Sequence, residues 1–142
     1  MSHIRRPARL ESLAPLMDFV EQCAQEHGFE GRRMNEIQLA AEEALVNIFN
    51  HAYPPEQIGD VHIHCSGGRD GSLLVEFRDT GVPFDFEDLK DPDLDASISG
   101  RKIGGLGVFL IKKMVDDLSY RRDGDENVLT FILHPSHSSV NR

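Results

Sequence analysis

The sequence predicts an α+β fold: a two-layer sandwich with helices on one face of a mostly antiparallel sheet. Three observations lead there. Short strand-like segments come in adjacent pairs around the turns Gly67-Gly68-Arg69-Asp70-Gly71 and Asp123-Gly124-Asp125. Two segments with helical spacing precede the first pair, and a third separates the pairs. The strict strand–helix–strand alternation of a parallel doubly wound sheet is missing, and so is the phosphate-binding pattern GxxxxGK followed by Ser or Thr.

The elements follow in order. Ile4 to Arg9 reads as a short strand, which Pro7 confines to a sheet edge. From Leu10 to His27, Leu13, Leu16, Met17, Val20 and Ala24 recur at helical spacing, and Gly28 suits the helix end. Gly31 and Arg32 turn the chain into a second helix over Arg33 to Ala52, stopped by Tyr53-Pro54-Pro55. Asp60 to Ser66 and Ser72 to Arg78 form the first hairpin, and Asp79 to Asp85 a loop. Glu87 to Gly107 is polar and weakly patterned; Val108 to Leu118 reads as a helix with Val108, Ile111, Met114 and Val115 inward. Ser119 to Arg122 and Val128 to His134 make the last hairpin. One domain over residues 1–134 is expected, with a Ser-rich flexible tail over 135–142.

Composition narrows the function classes. With 142 residues, 39% of them hydrophobic, the chain suits one domain with a real core. A net charge of −9 argues against broad binding to nucleic acid or an anionic membrane. No apolar run approaches the roughly 20 residues of a membrane span, and the N-terminus MSHIRRPARLESL has no apolar signal core. A cytoplasmic, reducing compartment is the expectation. Cys23 and Cys65 lack metal-ligand spacing and read as small buried residues rather than ligands or disulfide partners.

The helix segment LAAEEALVNIFNHAY, Leu39 to Tyr53, carries more chemistry. At about 100° per residue, Glu43, Asn47 and Asn50 fall together. Ala41, Ala44, Leu45, Ile48 and Ala52 gather on the other side. Solvated faces are usually rich in Lys, Arg and Glu, whereas Asn competes with the helix backbone. Asn47 and Asn50 beside Glu43 therefore point to a half-buried pocket wall. A carboxylate and an amide oxygen one turn apart could hold a hard cation such as Mg²⁺.

Two further segments bear on that pocket. In RDTGVPFDF, Arg78 to Phe86, Asp79 leaves a strand beside flexible Gly81. Such an Asp is either a turn residue or a buried carboxylate accepting from an exocyclic amine. In GGLGVFLIKKMVD, Gly104 to Asp116, glycines lead into a helix, where backbone N–H groups and the helix dipole favour an anion. A flexible loop before an ordinary helix is the plain alternative.

Taken in this order, the Asn-bearing helix, the Asp-x-Gly after a strand and the Gly-x-Gly opening a helix resemble the motif set of the GHKL ATPases, which include histidine kinases and DNA gyrase. Within that superfamily the chain looks most like the small bacterial anti-sigma-factor serine/threonine kinases. EEALVNIFNHAY, DTGVPFD, GGLGVFLIKKMVDDLSY and the final NVLTFIL carry the likeness, which spans roughly residues 5–134. The resemblance implies ATP or ADP and Mg²⁺ as ligands. It implies Asn47 as the metal ligand, Glu43 as general base, Asp79 as acceptor for the adenine amine and Gly81 beside the ring. Gly104, Gly105, Leu106 and Gly107 would face the phosphates, under a lid over Pro92 to Ile103. Arg101 and Lys102 sit where a cation could meet the terminal phosphates, and Asn50 could touch phosphate or solvent. His51 takes no catalytic role.

The implied partners are an anti-sigma-factor antagonist protein, a sigma factor, or both, with a homodimer suggested by analogy. The implied activity is phosphorylation of the antagonist. The alternatives are a nucleotide-gated interaction module without significant kinase activity, and a plain ATP hydrolase. Two departures stand out. Pro83 occupies the place where many superfamily members have a second Gly, and no upstream segment resembles the dimerisation helices and phospho-acceptor His of a histidine kinase. His62 and His64 share one strand face, but two ligands without a third in sequence read as an exposed face. His134 and His137 lie at the tail.

Overall fold

The computed structural model describes residues 2–83 and 103–135. Strands β1 (Ser2–Pro7), β2 (Asp60–Gly67), β3 (Leu73–Asp79), β4 (Asp117–Asp123) and β5 (Glu126–Leu133) make one sheet in the order β1-β2-β3-β5-β4. Every neighbouring pair is antiparallel. Helices α1 (Leu13–Glu26), α2 (Gly31–His51) and α3 (Ile103–Met114) complete the described fold, with a 3-10 turn at Leu10–Ser12 before α1. The predicted α+β architecture and its element order are therefore present.

Alternation along the strands explains why the helices gather on one side. Val61, Ile63 and Cys65 of β2 and Leu73, Val75 and Phe77 of β3 are buried, with half-buried residues between them. They share a core with Leu16 and Val20 of α1, Ile37 and Leu45 of α2, and Ile111 of α3. Phe77 and Phe131 meet at the centre with ring centroids 5.0 Å apart and planes tilted by 56°. Both cysteines are buried, as expected.

The turns use glycine where the backbone demands it. Gly28, which ends the first helical segment, has φ 88°, and Gly124 in the last hairpin has φ 65°. The largest boundary difference is in α3. The sequence places its start at Val108, because each interior Gly costs a helix about 1 kcal/mol. The structure starts it at Ile103 and takes all three glycines into the helix. It also ends at Met114 rather than Leu118. Asp116 turns the chain by accepting the His134 N–H at 2.7 Å, and Leu118 already belongs to β4. β1 likewise runs Ser2–Pro7 rather than Ile4 to Arg9, with Pro7 at its last position, where one lost N–H does least harm.

A buried arginine ties this corner together. Arg33 of α2 is 6% exposed. Its guanidinium donates to the Met114 carbonyl at 2.7 Å, to Glu36 Oε1 at 2.7 Å, to the His134 carbonyl at 2.9 Å and to Asp116 Oδ2. One fork thus joins the start of α2, the end of α3 and the end of β5. A buried charge is tolerable only when its donors are matched in this way. Replacing Arg33 by Met is expected to lower the unfolding free energy by about 3 kcal/mol, measured by urea denaturation. Arg33→Lys should recover little of it, because an ammonium cannot span the fork.

Candidate functional site

The C-terminal half of α2 and the last residue of β3 face each other across a cavity. Ala44, Asn47, Ile48 and His51 form the α2 wall, Ile111 of α3 and Leu129 of β5 add apolar surface, and Asp79 brings a carboxylate. The Asn-bearing helix and the Asp-x-Gly segment, far apart in sequence, thus meet at one concave site.

Asp79 is held, not free. It is 6% exposed and pairs across the sheet with Asn127 of β5. Its Oδ1 accepts the Gly81 N–H at 2.8 Å and the Asn127 Nδ2 amide at 2.8 Å. Both contacts fall on one oxygen; among the described residues no hydrogen bond engages Oδ2. Asn127 Nδ2 also donates to the Val82 carbonyl at 2.9 Å, while its Oδ1 accepts from the Tyr120 hydroxyl and, at 3.2 Å, from Arg122. Donors meet acceptors throughout in this amide orientation, and the flipped one would set like against like. Arg122 also donates to the Gly81 carbonyl at 2.8 Å.

Gly81 has a structural reason of its own. A Cβ there would stand 2.2 Å from the Ala52 carbonyl oxygen, at the end of α2. The next residue, Val82, donates its N–H to that same carbonyl at 2.8 Å. The loop after β3 is thereby docked on the helix that carries Asn47. Tyr53 reinforces the joint, accepting the Thr80 N–H at 2.9 Å and donating to the Asp60 carbonyl at 2.6 Å.

The expected polar stripe meets the cavity only in part. Asn47 lines the cavity, Glu43 is half-buried and Asn50 is exposed, and neither of the latter two is among the described lining residues. The cavity lies over the edge of the apolar face, centred between Asn47 and Ile48, which brings His51 to it instead of Asn50. Pro83 also lines the cavity. Gly104 and Gly105 fall in the opening turn of α3, where N–H groups have no intrahelical partner. Leu106 closes that turn, and Gly107 lies beyond it. Arg101, Lys102 and the rest of the lid segment before Ile103 are outside the described residues, as is His137.

Sequence reasoning missed Asn127, Tyr120 and Arg122. Asn127 had a signal: it shares a strand face with Leu129, Phe131 and Leu133, and a polar residue on an apolar face calls for a partner. Starting that strand at Val128 hid it. Tyr120 and Arg122 join the site only through the β4–β5 register.

Apolar walls with a fixed buried acceptor at one end suit a flat heterocycle carrying an exocyclic amine. The profile of the histidine kinase-like ATPase domain matches residues 6–133, so the chain belongs to that family. Within it, the chain is 31% identical over 127 residues to the serine-protein kinase RsbW of Bacillus thuringiensis (strain Al Hakam), covering 87% of this chain and 78% of that protein. The RsbW of Bacillus mycoides (strain KBAB4) is equally similar. Among solved structures, the RsbU and RsbW domains of Rv1364c from Mycobacterium tuberculosis superpose with a TM-score of 0.63 at 12% identity. That match covers 94% of this chain and 32% of the other, so this chain spans about a third of it. The histidine kinase domain of the Erythrobacter litoralis EL346 blue-light activated histidine kinase gives a TM-score of 0.58 at 17% identity, covering 90% of this chain and 63% of that one. These two likenesses concern the fold. No helix among the described residues is long and apolar enough to cross a membrane.

Burial raises the Asp79 carboxyl above the ordinary carboxylate range, against the lowering effects of Asn127, the Gly81 N–H and Arg122. A carboxyl with a raised folded pKa holds its proton more tightly when folded. It subtracts stability above that folded pKa and returns it as pH falls toward the unfolded value of about 3.9. Asp79→Asn keeps an Oδ1 acceptor and removes the charge. Thermal unfolding at pH 7 is expected to find it as stable as the wild type or more so, with the difference shrinking as pH falls through the folded pKa of Asp79. Gly81→Ala should cost about 1–3 kcal/mol of stability through the overlap with Ala52, read by the same method.

Proposed function

We propose that the chain is an ATP- and Mg²⁺-dependent protein serine/threonine kinase of the anti-sigma type, cytoplasmic, which phosphorylates a small antagonist protein and regulates transcription by partner switching. The observation that carries this reading is the buried Asp79 acceptor at the end of an apolar cavity walled by Asn47. The similarity over 127 residues to proteins named serine-protein kinase supports it.

In this reading, Asp79 Oδ2 accepts from the adenine amine, and Ala44, Ile48, Ile111 and Leu129 cover the ring. Asn47 would hold Mg²⁺, which supplies charge neutralisation at the phosphates when bound. The opening turn of α3, with Gly104, Gly105 and Leu106, offers N–H groups to the phosphate chain; Gly107 lets the backbone approach closely. Arg101 and Lys102 would be the cations for the terminal phosphates, and exposed Asn50 would stand at the solvent side. Glu43 would take the proton from the acceptor hydroxyl of a Ser or Thr as that oxygen bonds the γ-phosphorus, the bond from the γ-phosphorus to the β–γ bridging oxygen breaks, and ADP leaves with the freed electron pair. Positioning and charge neutralisation supply most of the rate. The sigma factor and the antagonist would be alternative partners of one surface, on a homodimer.

The second reading is a nucleotide-gated interaction module without significant kinase activity. The test is phosphotransfer from γ-labelled ATP to candidate small antagonist proteins. Transfer of label to a Ser or Thr, reduced by about 10²-fold or more in Glu43→Ala with nucleotide affinity nearly intact, is the expected result. Tight nucleotide binding with no transfer would favour the interaction module. Steady phosphate release without an acceptor would make the protein a hydrolase.

A further inference from the structure

Cys23 and Cys65 are the two cysteines of the chain, and the function proposed above uses neither. They lie on different elements, Cys23 on α1 and Cys65 on β2. Both belong to the core, 3% and 1% exposed. α1 packs on β2, and the two thiols stand within hydrogen-bonding reach of each other. A third group completes the cluster. His27 follows Cys23 by about one helical turn, which sets its ring on the same side of the helix end. Its Nδ1–H donates to the Cys23 carbonyl at 2.8 Å and stands 4.0 Å from Cys23 Sγ. Gly67, at the end of β2, makes room for that ring: a Cβ there would stand 2.6 Å from His27 Nε2.

A buried cysteine among apolar neighbours alone is inert. Here each thiol has the other beside it, and Cys23 also has an imidazole N–H. We propose that Cys23 and Cys65 are a redox modification site, which hydrogen peroxide closes into an intramolecular disulfide. Cys23 is the attacking sulfur. The Cys65 S–H donates to it and, with the charge of His27, brings the Cys23 thiol down to about 7, against the raising effects of burial and Glu26. The same hydrogen bond, together with burial and the charge of Cys23, pushes Cys65 up. The Cys23 thiolate attacks one peroxide oxygen, the O–O bond breaks, and hydroxide leaves and takes a proton to become water. Cys23 is then a sulfenic acid. The Cys65 sulfur attacks the Cys23 sulfur, the S–O bond breaks, and the departing hydroxide takes the Cys65 proton. The two thiols lose two electrons in all, and one peroxide becomes two waters.

Burial selects this product. His27 is half-buried and Gly67 exposed, which gives a small oxidant its approach to Cys23. A bulky thiol adduct has no space at a sulfur that shares a core with Leu16, Val20 and Phe29. The adjacent second thiol captures the sulfenic acid before further oxidation. The bridge would fasten α1 to β2 and close a loop that contains all of α2, the helix that carries Asn47. Closing a loop of that length restricts the unfolded chain, so the oxidised protein is the more stable form. Val61, at the other end of β2 from Cys65, is the residue that pairs with Asp79. The thiol pair is therefore separate from the nucleotide cavity and does not depend on the function proposed for it.

The test is treatment of the reduced full chain with hydrogen peroxide, followed by thiol counting after denaturation and by peptide mapping with mass spectrometry. Loss of both thiols and a Cys23–Cys65 cross-linked peptide, reversed by dithiothreitol, are expected. The rate should climb with pH and level off above a midpoint near 7, below that of an ordinary thiol. Cys65→Ser should stop at a sulfenic acid on Cys23, trapped by dimedone. Cys23→Ser should react about tenfold more slowly or less. Oxidised wild type should unfold about 10 °C above the reduced form, and peroxide should give Cys65→Ser no such rise. The wild-type map decides the matter even where a Ser variant does not fold. Folded wild type that keeps both thiols under conditions that fully oxidise free cysteine would overturn the proposal. Bridges found only between chains, or sulfinic acid without a bridge, would do so as well.

Discussion

The architecture of the site depends on one buried pair, Asp79 and Asn127. They stand opposite each other where β3 ends and β5 begins, on the helix face of the sheet. A carboxylate at this depth is costly unless its lone pairs are matched. Asn127 matches it and also binds the loop that follows, through the Val82 carbonyl. The loop is docked in turn on the end of α2 through Val82 and Ala52. The orientation of Asp79 toward Asn47 is therefore a consequence of how sheet, loop and helix close on each other. The acid survives beside an apolar cavity because the Gly81 N–H and the Asn127 amide both satisfy its Oδ1. That arrangement costs stability at neutral pH, since burial raises the pKa of the group. Such a cost is expected where function, rather than folding, requires the charge.

Most of the fold was legible because its signals are local. Alternation marked the β2–β3 hairpin, and helical spacing together with Tyr53-Pro54-Pro55 marked α2. The α3 boundary was not legible for an energetic reason. Glycine is a poor helix former in isolation, but α3 packs against α2 and reaches the Arg33 fork through Met114. Tertiary contacts offset the propensity of Gly104, Gly105 and Gly107.

The site divides along the same line. Asn47 and Asp79 were readable because each breaks a local expectation: an amide in a helix and an acid beside a glycine at a strand end. Asn50 was grouped with Asn47 by angle alone. The cavity turned out to sit over the edge of the apolar face, where His51 reaches it. Tyr120 and Arg122 needed the strand register, and no spacing rule gives that. The cysteine pair follows the same logic, since Cys23 and Cys65 lie far apart in the chain and meet only where α1 packs on β2. The helix face of the sheet thus carries two different chemistries, an acid–amide site toward one end and a thiol pair toward the other.

The central claim is that the cavity between α2 and the end of β3 binds a nucleotide through Asp79. Calorimetric titration of the wild type and of Asp79→Asn with ATP and Mg²⁺ tests it most directly. The account predicts saturable binding by the wild type and none by a folded Asp79→Asn, whose amide presents a donor where the adenine amine needs an acceptor. Equal binding by both proteins, or no binding by folded, nucleotide-free wild type, would contradict it.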